Sequence, residues 1–162
     1  MKIITAFVLC SVLVLPVMLL PGCAGGAAAK DSGANFKDVE GKEWILAELR
    51  SGGTTVTIDR VKLAADNMAG VYTAAFKDGR IAGMGAPNRY FGPYTAGSGK
   101  SLSMGNMAST MMAAFKEPDA LKEKEYYDYL SKVTRWDLRD GKLELYSSNA
   151  ANAEAVLVFT AK

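Results

Sequence analysis

The sequence contains no histidine. That absence removes the usual Ser-His and Cys-His nucleophile pairs and the commonest metal ligand. Cysteine is nearly absent as well, with only Cys10 and Cys23 near the start of the chain. Everything after them has no pair to oxidise, even in an oxidising compartment, and must hold together by packing. Charge of one sign is also lacking. Nineteen Lys and Arg face seventeen Asp and Glu, for a net charge of +2, with no long block of either sign. Nucleic acid is therefore not expected as a partner, and no charged tail is present. What is present is 162 residues, 49% of them apolar, enough for one domain with a real core.

The first residues carry an address. Lys2 gives a short positive start, and Ile3 to Leu20 runs without a charge. Leu20-Pro21-Gly22-Cys23 closes the run, and small residues follow from Ala24 to Ala29. This is the pattern of an export signal, and Leu-x-Gly-Cys resembles a bacterial lipobox. It implies that residues 1–22 are a lipoprotein signal peptide and that Cys23 carries a thioether-linked diacylglycerol. No other cofactor is expected. The alternative is an uncleaved anchor, since about 20 apolar residues can span a bilayer. Ala24 rather than Asp after the cysteine points to the outer membrane, with the domain facing the periplasm. Each buried CH₂ of an acyl chain contributes roughly 0.8 kcal/mol, so several chains anchor a protein stably. Residues 23–38 are rich in Gly, Ala, Ser and Asn, with Phe36 the one aromatic. They read as a flexible tether with a span of roughly 20–25 Å, which leaves 39–162 as the domain.

That domain reads as mostly strand with one helix. Segments rich in β-formers are Glu43–Arg50, Thr54–Arg60, Val71–Lys77, Arg80–Met84, Asn88–Ala96, Ser101–Asn106, Val133–Arg139, Lys142–Ser147 and Glu154–Thr160. Asp78-Gly79 and Asp140-Gly141 predict tight hairpins, because Asp-Gly tolerates positive φ. Leu143 and Leu145 alternate with polar neighbours, so one face of their strand is expected to be buried. Glu154–Thr160 is apolar on both faces and belongs in the middle of a sheet. Pro118 to Lys132 is the expected helix, with Pro118 at its first position and Tyr126, Tyr127, Leu130 and Val133 as its apolar stripe.

Most motifs with a chemical look fail on spacing. Gly97-Ser98-Gly99-Lys100-Ser101 lacks the first P-loop glycine, since Tyr94 stands there, and strand rather than helix follows. Gly83-Met84-Gly85 lacks a third glycine, because Asn88 occupies its place. Met104, Met107, Met111 and Met112 cluster, but thioethers without His or Cys favour core packing over copper. Asp137, Asp140 and Glu144, and the acids Glu117, Asp119, Glu123 and Glu125, are interleaved with Lys and Arg, as on a solvated face. No catalytic or metal site emerges, and an enzyme is not expected.

The segment from Gly83 to Tyr94 stands out. Pro87 and the glycines shape a turn, Asn88 is expected to satisfy backbone groups there, and Tyr90 and Tyr94 share a strand face. Arg89, Phe91, Tyr90 and Tyr94 are the candidate interaction surface, since Tyr and Arg are favoured anchors.

The same segment resembles the signature of the META domain family, which includes the heat-inducible HslJ-type proteins and many bacterial lipoproteins. The resemblance continues in order through Gly41-Lys42-Glu43-Trp44-Ile45-Leu46, Phe76 to Gly83, Ser109-Thr110-Met111-Met112-Ala113, Tyr127-Asp128-Tyr129-Leu130, Trp136, Gly141-Lys142-Leu143 and Val156-Leu157-Val158-Phe159. It departs where many members carry cysteines, at Pro87 and Ala114, so thiol or disulfide chemistry is not implied here. The resemblance implies an α+β fold, a curved antiparallel sheet forming a cracked β-barrel with one main helix, similar to lipid-binding pilotin lipoproteins. It also implies a non-enzymatic envelope lipoprotein supporting stress tolerance or secretion by binding an envelope protein. The alternative is a carrier of a small apolar ligand, an acyl chain, in a barrel cavity.

Overall fold

The computed structural model describes residues 33–113 and 116–162. The expected leader, Cys23 with its lipid, the first part of the tether and Ala114 lie outside the described residues. Asp31–Lys162 forms a compact unit that contains every buried apolar residue among those described, so it carries its own core.

The strands are β1 (Glu43–Ser51), β2 (Thr54–Thr57), β3 (Thr73–Lys77), β4 (Arg80–Met84), β5 (Arg89–Ala96), β6 (Leu102–Met104), β7 (Ala108–Ser109), β8 (Arg135–Arg139), β9 (Lys142–Ser148) and β10 (Glu154–Ala161). The helices are α1 (Arg60–Ala65) and α2 (Glu123–Ser131). The sheet runs β6-β5-β4-β3-β1-β10-β9-β8, with β2 on the second half of β1 and β7 on β5. Its two ends meet. Ser101 bridges Arg135, the Leu102 N–H donates to Thr134 O at 3.0 Å and the Trp136 N–H to Lys100 O at 2.9 Å. The result is the α+β fold expected, an antiparallel barrel closed except for one seam.

Both Asp-Gly hairpins form, with φ of 50° and 73° at Asp78-Gly79 and again at Asp140-Gly141. The β10 strand sits between β1 and β9, as its two apolar faces require. Trp44, Trp136, Phe76, Phe159, Leu46 and Leu102 fill the interior. An acyl chain held in the barrel interior would have to displace them.

Several elements differ from expectation. Phe36 is not tether: it is buried and packs against Phe76, Tyr94 and Trp136 with ring centroids 5.0–5.4 Å apart. Asn35 caps the short helical turn Phe36–Asp38. The strand expected over Thr54–Arg60 stops at Thr57, because the Asp59 carboxylate accepts the Lys62 N–H at 2.9 Å and starts α1 instead. Arg60 then fills the notch where β1, bulged between Leu46 and Glu48, parts from β3. Its guanidinium donates to Val71 O at 2.7 Å and to Leu46 O. The main helix begins at Glu123, not at Pro118, which is buried in the preceding loop. Its first turn is closed by Glu125, which accepts the Lys122 N–H at 3.0 Å.

The β9 strand is buried on both faces rather than one. Glu144 accepts from Tyr146 OH at 2.6 Å and Arg50 at 3.2 Å, and the Arg135 guanidinium lies over the Tyr146 ring. Asp137 is likewise buried and held by Arg139 and Lys100. Neither acid lies on the solvated face expected of it. The methionine pair also departs from the packing role: Met111 is 99% and Met112 58% exposed.

Candidate functional site

The turn from β4 to β5 is built from glycines that other side chains need. A Cβ on Gly83 would strike the Thr73 carbonyl, the acceptor for Tyr90 OH at 2.8 Å and Tyr126 OH at 3.1 Å. A Cβ on Gly85 would come within 2.6 Å of Glu123 Oε1. Into that space Glu123 extends from α2. Its Oε1 accepts the backbone N–H groups of Ala86 and Asn88, each at 2.6 Å, and its Oε2 accepts Asn88 Nδ2 at 2.7 Å. The Tyr127 hydroxyl, one helical turn on, lies 3.0 Å from Asn88 O.

Asn88 completes the knot from the other side. Its Oδ1 accepts the Met112 N–H at 2.7 Å and Thr110 Oγ1 at 2.8 Å, while Nδ2 donates to Met112 O at 3.2 Å. Both backbone groups of Met112 are thus satisfied by one amide, the role the sequence suggested for Asn88. Helix α2, the β4–β5 turn and the segment after β7 are joined at one point. The polar groups are taken up by one another, and this is the physical content of the Gly83–Asn88 signature. Glu123 is no solvated acid, and sequence reasoning missed it. The available signal was its spacing from Tyr127, which puts both on one helix face.

The structure divides the four candidate surface residues. Tyr90 and Tyr94 turn inward. Tyr90 is 2% exposed, and burial holds its hydroxyl well above the usual tyrosine range. Tyr94 packs on Phe36 and Phe76 and donates to the Glu40 carboxylate. Burial, and then that bond, push its pKa from 10.0 up to about 12. Neither ring can serve as a contact surface. Arg89 and Phe91 turn outward. Phe91 is 46% exposed, with the Arg80 guanidinium 5.6 Å from its ring centre. Behind it the register aligns Ala82 and then Ala75, so the wall beside Phe91 is a shallow apolar groove of about 510 Å³ bordered by Arg89 and Glu43. Lys77 pairs in register with Arg80 on the same wall. Among the described residues, Lys77, Arg80 and Arg89 have no carboxylate partner.

Two other openings lie nearby. Met68, Met84 and Met112 line a groove of about 430 Å³ with Val71 and Pro87. A half-enclosed cleft of about 270 Å³ separates α1 from residues 116–120. Among the described residues, no three of His, Cys, Asp and Glu gather as metal ligands. The Gly97–Ser101 stretch is a tight turn between β5 and β6, closed by the Gly97 N–H on Ser101 O at 3.0 Å. Its Lys100 reaches across the seam to Ala34 O at 2.7 Å and over the Trp136 ring.

The META domain family matches residues 37–162. A protein from Burkholderia xenovorans, solved by NMR, is similar in fold: 21% identity and a TM-score of 0.57, covering 83% of this chain and 97% of that one. No curated protein matches the chain.

Proposed function

The chain belongs to the META domain family, and on that premise we propose that it is a cell-envelope lipoprotein acting by binding another envelope component, not by catalysis. The expected lipid on Cys23 tethers it to the membrane, most simply the outer membrane with the domain on the periplasmic side. Its service is to envelope stress tolerance or secretion, through a protein partner.

One observation carries this reading. Phe91, a large exposed aromatic, stands on an alanine-lined wall between Arg80 and Arg89, cations with no carboxylate partner among the described residues. Aromatic and Arg side chains are the residues most often dominant at protein interfaces. The knot behind them fixes the wall without using either side chain. The test is site-specific photocrosslinking in cells, with the crosslinker at Phe91 and, as control, at Thr160 on β10. A discrete adduct at Phe91 that Arg89→Glu abolishes supports the reading. Equal yields at both positions, or an adduct indifferent to Arg89, would sink it.

A further inference from the structure

The wall that carries Phe91 is laid out in rows. Every second residue of a strand shares a face, so the register stacks three rows on the outer side of β3, β4 and β5. They are Lys77, Arg80 and Pro93, then Ala75, Ala82 and Phe91, then Met84 and Arg89. The two flanking rows carry the cations and the middle row is apolar. Successive rows lie about 6.7 Å apart, which sets the backbone positions of Arg80 and Arg89 about 13 Å apart along the strands, with Phe91 midway. Lys77 and Arg80 face each other directly across the hairpin, and like charges so placed destabilise a sheet. Among the described residues neither of them, nor Arg89, has an acid within ion-pair distance. Glu43, at the edge of the wall, is taken by Lys162 at 3.0 Å. Asp78, in the turn between Lys77 and Arg80, is the one unpaired acid beside these three cations.

Both arginines are positioned in advance. The Arg80 guanidinium lies over the Phe91 ring, which engages its face and leaves the N–H donors at its edge open. A side chain already ordered costs a ligand less to hold. Arg89 is fixed at its backbone: its N–H donates to Thr110 Oγ1 at 3.2 Å and its carbonyl accepts the Thr110 N–H at 3.0 Å, while the side chain stays exposed. Between them the groove beside Phe91 presents Ala75, Ala82 and Met84. Cation, apolar, cation at two-residue steps is the complement of an extended chain with acid, apolar and acid at alternate positions. Such a chain rises about 13 Å over four residues and keeps its alternate side chains on one face. We propose that the wall binds an extended acidic protein segment of this spacing, its carboxylates on the Lys77–Arg80 pair and on Arg89 and its apolar side chain in the groove at Phe91. This rests on the reading of the wall as the partner surface and names the chemistry of that partner. An anionic lipid surface would engage the cations but leave the groove between them empty.

The experiment titrates residues 31–162, which carry their own core, against fluorescein-labelled peptides followed by anisotropy. A peptide containing Glu-Thr-Leu-Thr-Glu should bind about tenfold more tightly than one of the same composition with its two acids adjacent, the loss of one charge-assisted contact. Its counterpart with Gln for both acids should not bind, and affinity should fall with added salt. Arg80→Glu and Arg89→Glu should each weaken binding about tenfold or more by the same reasoning. Lys142→Glu makes the same change of charge on β9, across the barrel from β4, and should leave affinity unchanged. All three side chains are exposed, so urea midpoints should stay near the parent's, and the peptide series on the parent chain stands without the variants. Equal binding of the peptide with adjacent acids, affinity indifferent to Arg80 and Arg89, no binding of any peptide, or capture by phosphatidylglycerol vesicles without binding of the acidic peptide would each overturn the proposal. A discrete crosslink at Phe91 in cells alongside any of those results would refute the acidic segment and leave the wall a partner surface, so the two failures are told apart.

Discussion

At the scale of single residues, adjacent positions in β5 have opposite duties. Asn88 is a joint, because its amide meets Met112, Thr110 and Glu123 at once. Asn88→Ala should lower stability by about 1–3 kcal/mol through unmade hydrogen bonds, read as a drop in urea midpoint. Arg89→Ala and Phe91→Ala should stay within about 0.5 kcal/mol of the parent, as surface changes do, while weakening the crosslink at the wall. The glycines give a second contrast. Gly83→Ala forces a methyl into the Thr73 carbonyl and should cost about 1–3 kcal/mol or more by overpacking. Gly70→Ala meets nothing within 4 Å and should be nearly neutral by the same assay. Much of this was legible in the sequence. Alternation put Tyr90 and Tyr94 on one strand face and Arg89 and Phe91 on the other, but only the packed structure shows that the tyrosine face is the inner one, which removes both tyrosines from the expected surface. Glu123 was not legible, because an acid among lysines on a helix reads as solvated until the turn it enters is known. Met111 and Met112 misled for the converse reason: apolar residues suggest burial, yet here their backbone is what the structure uses.

At the scale of elements, hairpins were the easiest to read and helix starts the hardest. Asp-Gly demands a conformation few other pairs adopt, so both turns are local facts. The start of α1 is a competition. Thr55-Val56-Thr57-Ile58 favours strand, and only the Asp59 carboxylate on the Lys62 N–H tips the chain into helix. Asp59→Ala should therefore cost roughly 1 kcal/mol and loosen the cleft floor, seen as faster amide exchange at Leu63. Pro118 misplaced the start of α2 because proline suits a first helical turn and a preceding loop equally well. The inward faces of β1 and β8 follow from Trp44 and Trp136, both buried. Either residue changed to Ala should cost about 3–5 kcal/mol in the urea midpoint. Near-parental melting of both variants would mean the strands face the other way.

At the scale of the whole molecule, the lack of histidine becomes a property of the fold. No side chain of the domain has an ordinary pKa near neutrality, so stability should be nearly flat from about pH 6 to 9. Above that range the tyrosines decide. Burial raises Tyr72, Tyr90, Tyr126 and Tyr127 above their ordinary value, and Tyr94 to about 12. The folded chain then holds protons that the unfolded chain releases near pH 10, about the free tyrosine value, so stability falls as pH rises from there toward about 12. Urea midpoints across that range should show the fall, with most of the rise in tyrosinate absorbance accompanying unfolding. Barrel closure was not legible in any local pattern, since Ser101 and Arg135 are far apart in sequence and are brought together only by the curvature of the whole sheet. The pairing of β1 with β10 has a consequence in time. The domain's first strand finds its partner in its last, so a chain emerging from its amino end, whether from a ribosome or through a pore, cannot seal its core until nearly its final residue is free. Until then β1 has nothing lasting to pair with on that side, and the chain stays threadable for almost its entire passage.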